Sequence, residues 1–224
     1  MVTVAFTALA RSVRGVSPSG ACTGAVVCYL LYASAGLGAF LALVSVFVLA
    51  WITTRLGYQR KQALGTAEKR DGRTASQVLA NLGTAAIAAA LYAVTGGKTV
   101  FLLAVTAALS EAAADTVSSE LGQASSEQAR LITTWETVPA GTDGGISWAG
   151  TLAGIAGAAV VSLVSAAAGM LPWKWLGPAI VAAVAGMVAD SYLGATLERR
   201  GVLNNDSVNF LSTVVAAGIA GLLA

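Results

Sequence analysis

Apolar residues along this chain gather into long runs separated by short polar connections. A helix rising ~1.5 Å per residue needs about 20 mostly apolar residues to cross a bilayer core. Runs that read as membrane helix lie at residues 21–37, 39–56, 78–95, 100–120, 146–171, 176–197 and 208–224. The pattern predicts an all-α fold, a polytopic transmembrane helical bundle of six to seven spans forming one integral membrane domain over residues 1–224. The first run is short, and Gly36 and Gly38 separate it from the second. It reads equally as a full span, a re-entrant arm or part of a broken helix. Residues 2–10 allow a further short interfacial helix within a cytoplasmic or interfacial segment, residues 1–20.

The polar connections set the orientation. If residues 57–77 are cytoplasmic, the same side receives Arg11, Arg14, Arg55, Arg60, Lys61, Lys69, Arg70, Arg73, Arg130, Arg199 and Arg200, and only Lys98 and Lys174 fall outside. Such a bias follows the positive-inside rule. It places residues 57–77, 122–145 and 198–207 in the cytoplasm, and these connections hold nearly all the polar chemistry. Outer connections such as Gly96-Gly97-Lys98 are brief, which favours a cytoplasmic reactant.

Composition agrees. Only 11% of residues are charged, against about 25% in a soluble domain, and the mean hydropathy is +0.75. A net charge of +2 argues against a nucleic-acid partner. The absence of His removes the commonest general base and the usual zinc or haem ligand. Cys22 and Cys28 read as helix-packing residues, and no basic-then-apolar order marks a cleaved signal peptide. An integral protein of a cell inner or plastid-type membrane, active on its cytoplasmic face, is the expectation.

Against this background, acids inside spans stand out. Glu111 and Asp115 lie four apart in one apolar run, hence on one helix face, and Asp190 lies in another. Intramembrane charges are costly and usually face a cavity, a partner or an ion. Glu111, Asp115 and Glu120 would descend the inner half of their span, where carboxylates facing a vestibule suit Mg²⁺; interhelical hydrogen bonding is the plainer alternative. Lys69, Arg70 and Arg73 lead into a helix beginning near Thr74, an arrangement that can hold phosphate oxygens or simply greet anionic headgroups. Asn81 follows within that span as a ligand or interhelical glue. Gly141, Thr142, Gly144, Gly145 and Ser147 precede the next span, where backbone amides can approach an anion, although an ordinary turn with a Ser cap would look the same. Ala189-Asp190-Ser191 echoes Ala114-Asp115-Thr116, and Asn209 opens the last span much as Asn81 sits early in the third. Two internal repeats around one midline site are therefore an open reading.

In order, these motifs resemble the family of integral membrane proteins that includes the plant phytyl-phosphate kinase and the animal transmembrane protein 19. The matching words are Gly65-x-Ala67-x-Lys69-Arg70 with Ala75-x-Gln77-Val78-x-Ala80-Asn81, Glu111 with Ala114-Asp115-Thr116 and Ser119-Glu120-Leu121-Gly122, and Pro139-x-Gly141-Thr142-x-Gly144-Gly145-Ile146-Ser147. Ala189-Asp190-Ser191-x-x-Gly194-Ala195-Thr196 and Asn205 with Asn209-Phe210 complete the set. Asp143 stands where the family has a small residue such as Ser. The resemblance implies phosphoryl transfer from a nucleoside triphosphate, CTP or ATP, to a prenyl or phytyl monophosphate. It implies Mg²⁺ on Asp115 and Asp190 with support from Glu111 and Glu120, and phosphate neutralisation by Lys69, Arg70 and Arg73. Residues 141–145 with Thr142 and Ser147 would cradle a phosphate, and Asn81, Asn205 and Asn209 would bond phosphate or metal-bound water. The expected partners are the nucleotide, the isoprenoid lipid and the bilayer, with homo-oligomerisation open. An ion-coupled transporter or flippase, a CTP-dependent lipid nucleotidyltransferase and a non-catalytic assembly protein remain the rival classes.

Overall fold

A computed structural model describes residues 1–68, 71–125 and 128–224. Among these residues eight α-helices dominate: α1 (Val2–Ser12), α2 (Pro18–Arg55), α3 (Tyr58–Leu64), α4 (Ala75–Val94), α5 (Thr99–Ala124), α6 (Trp148–Ala167), α7 (Leu176–Leu193) and α8 (Asn205–Leu223). Six of them, α2 and α4 to α8, are long and apolar enough to cross a membrane, α7 being extended by short turns on either side. The chain is an integral membrane protein with a polytopic all-α architecture.

α2 resolves the ambiguity of the first two runs. Gly36 adopts φ 76° and ψ −164° inside it, a conformation closed to residues with a Cβ. Both ends of α2 then return to one place. Ser17 N–H donates to the Arg73 carbonyl at 3.0 Å, while Trp51 Nε1 and Arg55 Nη2 donate to the Val13 carbonyl at 3.2 and 2.7 Å. The helix is a hairpin whose two limbs, residues 18–35 and 37–55, each reach roughly 27 Å. α1 lies along the second limb, with Phe6 edge-on to Phe40 and Phe47 at 5.7 and 5.3 Å.

α5 is the axle. In its apolar window 78% of residues are buried, against at most 44% in the other spans. In lipid, helices associate through close packing rather than hydrophobic expulsion, so small residues belong at their contacts. α6 shows this: a Cβ on Gly150 would lie 2.7 Å from the Ser118 carbonyl oxygen, and one on Gly154 2.8 Å from that of Ala114. Hydroxyl pairs add glue, with Ser110–Ser162 and Thr84–Thr213 each at 2.8 Å. The helix expected near Thr74 begins there, through a Thr74–Gln77 capping box.

One feature differs from an unbroken helical reading. Strands β1 (Ala129–Leu131), β2 (Thr137–Val138) and β3 (Gly145–Ile146) form an antiparallel sheet ordered β2-β1-β3 within the connection between α5 and α6. Segments of two or three residues are too short to show a period in sequence.

Candidate functional site

Glu111 and Asp115 occupy one face of α5, and Asp190 of α7 meets Asp115 across the helix interface. The Ser212 hydroxyl of α8 lies between Glu111 and Asp190. Glu111 is 1% exposed, and its Oε1 has no hydrogen-bond partner among the described residues. Room for it comes from Gly186 of α7, where a Cβ would stand 2.6 Å from Glu111 Cγ and 2.8 Å from the Ser212 carbonyl oxygen. Oriented as its neighbours require, the Asn209 amide donates to Asp190 Oδ2 (3.3 Å) and the Asn205 carbonyl (3.2 Å), and accepts from Asn81 Nδ2 (3.3 Å). Asn81 also donates to the Gln77 carbonyl at 2.9 Å. Like residues from distant parts of the chain thus meet in pairs, Asp115 with Asp190 and Asn81 with Asn209.

The acids open into a polar cavity of about 230 Å³. Asp115, Ser118, Ser119 and Gly122 line it from α5, Asp190, Ser191 and Glu198 from α7 and its final turn, Asn205 and Asn209 from α8. The Gly-rich segment closes the remaining side with Gly141, Thr142, Asp143, Gly144, Gly145 and Ser147. Gly144 has φ 73° and lies against Ala195, where a Cβ would collide with the Ala195 backbone and side chain. Only glycine there lets the loop sit directly on the turn at residues 194–198, which winds with π-helical bonding. Thr142 Oγ1 donates to the Pro139 carbonyl at 2.8 Å, and Ser147 Oγ accepts from Gly150 N–H at 3.1 Å as the α6 N-cap. Ser147 therefore serves as a cap and lines the cavity as well. Asp143 and Glu198 interact at the mouth, so four acids surround this space.

Arg73 approaches Asp115 from outside this cavity. Its Nη2 donates to Thr116 Oγ1 at 3.2 Å, and it lies within electrostatic reach of Asp115. Its backbone is clamped, donating to the Gly15 carbonyl at 3.2 Å and accepting from Ser17 N–H. Arg73 and Asn81 also line a second, apolar cavity of about 410 Å³ between α1, both limbs of α2 and α4.

The structure gathers Asp115, Asp190, Gly141, Thr142, Gly144, Gly145, Ser147, Asn205 and Asn209 around one cavity, with Glu111 beside Asp115 on α5, Asn81 bonded to Asn209, and Arg73 bonded to Thr116 next to Asp115. Glu120 is placed elsewhere. Five residues after Asp115, it is turned by ~140° around the helix, and it accepts from buried Lys61 and from Thr54 Oγ1. Lys69 and Arg70 lie outside the described residues. Among the described residues, no three acidic, Cys or His side chains group closely enough to hold a metal by themselves. Sequence reasoning gave Ser118, Ser119 and Gly122 no role in the site, although they follow Asp115 by three, four and seven on the same helix face. It also left Glu198 without a role.

The profile of the integral membrane protein family DUF92 matches residues 1–217. An uncharacterized membrane protein of Methanocaldococcus jannaschii is 37% identical over 211 residues, covering 94% of this chain and 86% of the relative. One from Synechocystis sp. is 32% identical over 198 residues, covering 85% and 76%. The chloroplastic Protein VTE6 of Arabidopsis thaliana is 30% identical over 219 residues, covering 94% and 66%. No solved structure matches the chain.

Proposed function

The chain belongs to the DUF92 family of integral membrane proteins, and on that premise we propose that it is a membrane-embedded phosphotransferase. It moves the γ-phosphoryl group of CTP or ATP to a prenyl or phytyl monophosphate, giving the diphosphate. The observation that carries this reading is the apposition of Asp115 and Asp190 in a polar cavity walled by a Gly-rich loop. The motif resemblance to phytyl-phosphate kinase and the similarity to the chloroplastic plant relative supply the reaction class.

Phosphoryl transfer asks a protein for positioning and charge neutralisation more than for covalent chemistry. The nucleophile is a phosphate oxygen of the lipid, already anionic, so a chain without His lacks nothing essential. That oxygen forms a bond to the γ-phosphorus while the bridging bond to the β-phosphate breaks, and the nucleoside diphosphate leaves with the electron pair. At about 230 Å³ the cavity is smaller than the ~300–1,000 Å³ of a drug-sized site, which suits phosphate groups more than a whole nucleotide. Four acids would repel those phosphates unless cations stood between them. Mg²⁺ binds through one or two carboxylates and fills its shell with water and phosphate oxygens, the donor set that Asp115 and Asp190 offer, and when bound it neutralises charge on the transferred group. Glu111 and Ser212 orient the two aspartates from below. Asn209 fixes Asp190, the amides of residues 141–145 face the phosphates, and Arg73, with Lys69 and Arg70 of the same connection, offsets their charge. On this reading the site opens to the cytoplasm, which the bias of Lys and Arg to that side's connections supports.

Purified protein in detergent, given Mg²⁺, CTP or ATP, and geranylgeranyl or phytyl monophosphate, tests the reading. We expect lipid diphosphate and nucleoside diphosphate, with Asp115→Asn and Asp190→Asn each lowering kcat/KM by about 10²-fold or more at an unchanged gel-filtration profile. Pyrophosphate release would assign nucleotidyl transfer instead. No turnover of any prenyl phosphate, together with ion-dependent uptake in vesicles, would assign transport.

A further inference from the structure

The apolar cavity is the larger of the two, and apart from Arg73 its lining takes no part in the chemistry just described. It is lined mainly by apolar side chains, among them Phe6, Leu43, Val46, Phe47, Val78 and Leu82, and its charged lining residues among those described are three cations, Arg14, Arg55 and Arg73, against one acid, Glu68. Arg14 is unusual in its backbone. It follows α1 at φ 56°, in the left-handed region where glycine or asparagine ordinarily ends a helix. Gly72, at φ 84°, presses against it so closely that a Cβ would fall 2.7 Å from the Arg14 carbonyl oxygen. Among the described residues no hydrogen bond or ion pair engages its guanidinium. The strained backbone thus carries an exposed cation that the fold itself does not engage and that is free to meet a ligand.

Resting on the phosphotransferase reading, we propose that this cavity is the chamber for the hydrocarbon chain of the lipid monophosphate, and that Arg14 together with Arg73 holds its phosphate. A mainly apolar lining with more cations than acids matches an amphiphile with a single anionic head. The volume of about 410 Å³ lies within the usual ligand range of ~300–1,000 Å³. Arg73 also bonds Thr116, the residue after Asp115, so a phosphate on Arg73 stands beside the acid pair. Asn81 belongs to the chamber wall and bonds Asn209 of the polar cavity, so the walls of the two spaces are in direct contact. The chamber sets chain length as well: Gly24 lines it, and a Cβ there meets nothing within 4 Å. A larger side chain at position 24 therefore starts from open space beside the chamber.

Three variants test this through KM for geranylgeranyl and dimethylallyl monophosphate and through thermal melting. Arg14→Gly relieves the backbone strain, so it should melt no lower than wild type, yet raise KM for geranylgeranyl monophosphate about tenfold, as loss of one charge-assisted contact does. KM for the nucleotide should stay the same, and Arg14→Lys should recover most of the loss. Gly24→Phe should raise KM for the 20-carbon substrate about tenfold more than for the five-carbon one. An active enzyme in which Arg14→Gly and Gly24→Phe leave the lipid KM unchanged overturns the chamber and leaves the phosphotransferase standing. If no prenyl phosphate is turned over, the functional reading fails separately, and binding of radiolabelled geranylgeranyl monophosphate without nucleotide still decides the chamber. Binding weakened by Gly24→Phe supports it. Binding indifferent to that change, or displaced equally well by phosphatidic acid vesicles, overturns it.

Discussion

Asp115 and Asp190 could be found from sequence because a carboxylate within an apolar run is conspicuous, and no periodicity is needed to see it. Their meeting could not, since it depends on how α5 and α7 pack through Gly186 and its neighbours. Glu120 shows the opposite case. It is as conspicuous in sequence, but helical phase turns it away from the acids toward Lys61. Asn209 is the residue through which the pair is held, bonding Asp190 on one side and Asn81 on the other. Asn209→Ala should lower kcat about 10- to 10²-fold in the phosphotransfer assay while costing only ~0.6 kcal/mol of stability, the average for an interhelical hydrogen bond in lipid. A loss of folded protein matching the loss of rate would show that Asn209 acts on the fold alone.

At the scale of elements, local signals served well where they were local. The Thr74 cap, the apolar runs and the glycines before α6 are each written in a few adjacent residues. The small sheet and the π-wound turn are not, because both exist through contacts with distant backbone. Gly144 joins them. Gly144→Ala would force a Cβ into Ala195 and a side chain into left-handed backbone, a cost of about 1–2 kcal/mol before any clash. We expect a lower melting temperature and loss of nucleotide binding by equilibrium dialysis; an unaltered variant would refute the tight seating of the loop. The Lys61–Glu120 pair ties α3 to α5, and Lys61 Nζ also donates to the Thr53 and Thr54 carbonyls at the end of α2, at 3.0 and 2.8 Å. Lys61→Met leaves Glu120 facing an apolar stem and should destabilise by about 3–5 kcal/mol, whereas Lys61→Met with Glu120→Gln should recover most of that in a thermal melt.

For the whole molecule, the number and order of spans followed from hydropathy, and the hairpin at Gly36 settled the one ambiguous run. Orientation rests on arginine and lysine alone. With Cys22 and Cys28 replaced by Ser, a membrane-impermeant maleimide should label Lys98→Cys in intact cells and Arg200→Cys only after permeabilisation; the reverse pattern would invert the topology. With that topology the polar cavity faces the nucleotide pool, and the proposed lipid chamber lies beside it, among α1, α2 and α4. The identity of the transferred group is then the sharpest question. The purified protein should be supplied with geranylgeranyl monophosphate and CTP or ATP, labelled with ³²P at the γ-position in one reaction and the α-position in another. The account predicts that γ-label passes to the lipid and α-label stays with the nucleoside diphosphate. Transfer of α-label to the lipid, or of neither, would contradict it.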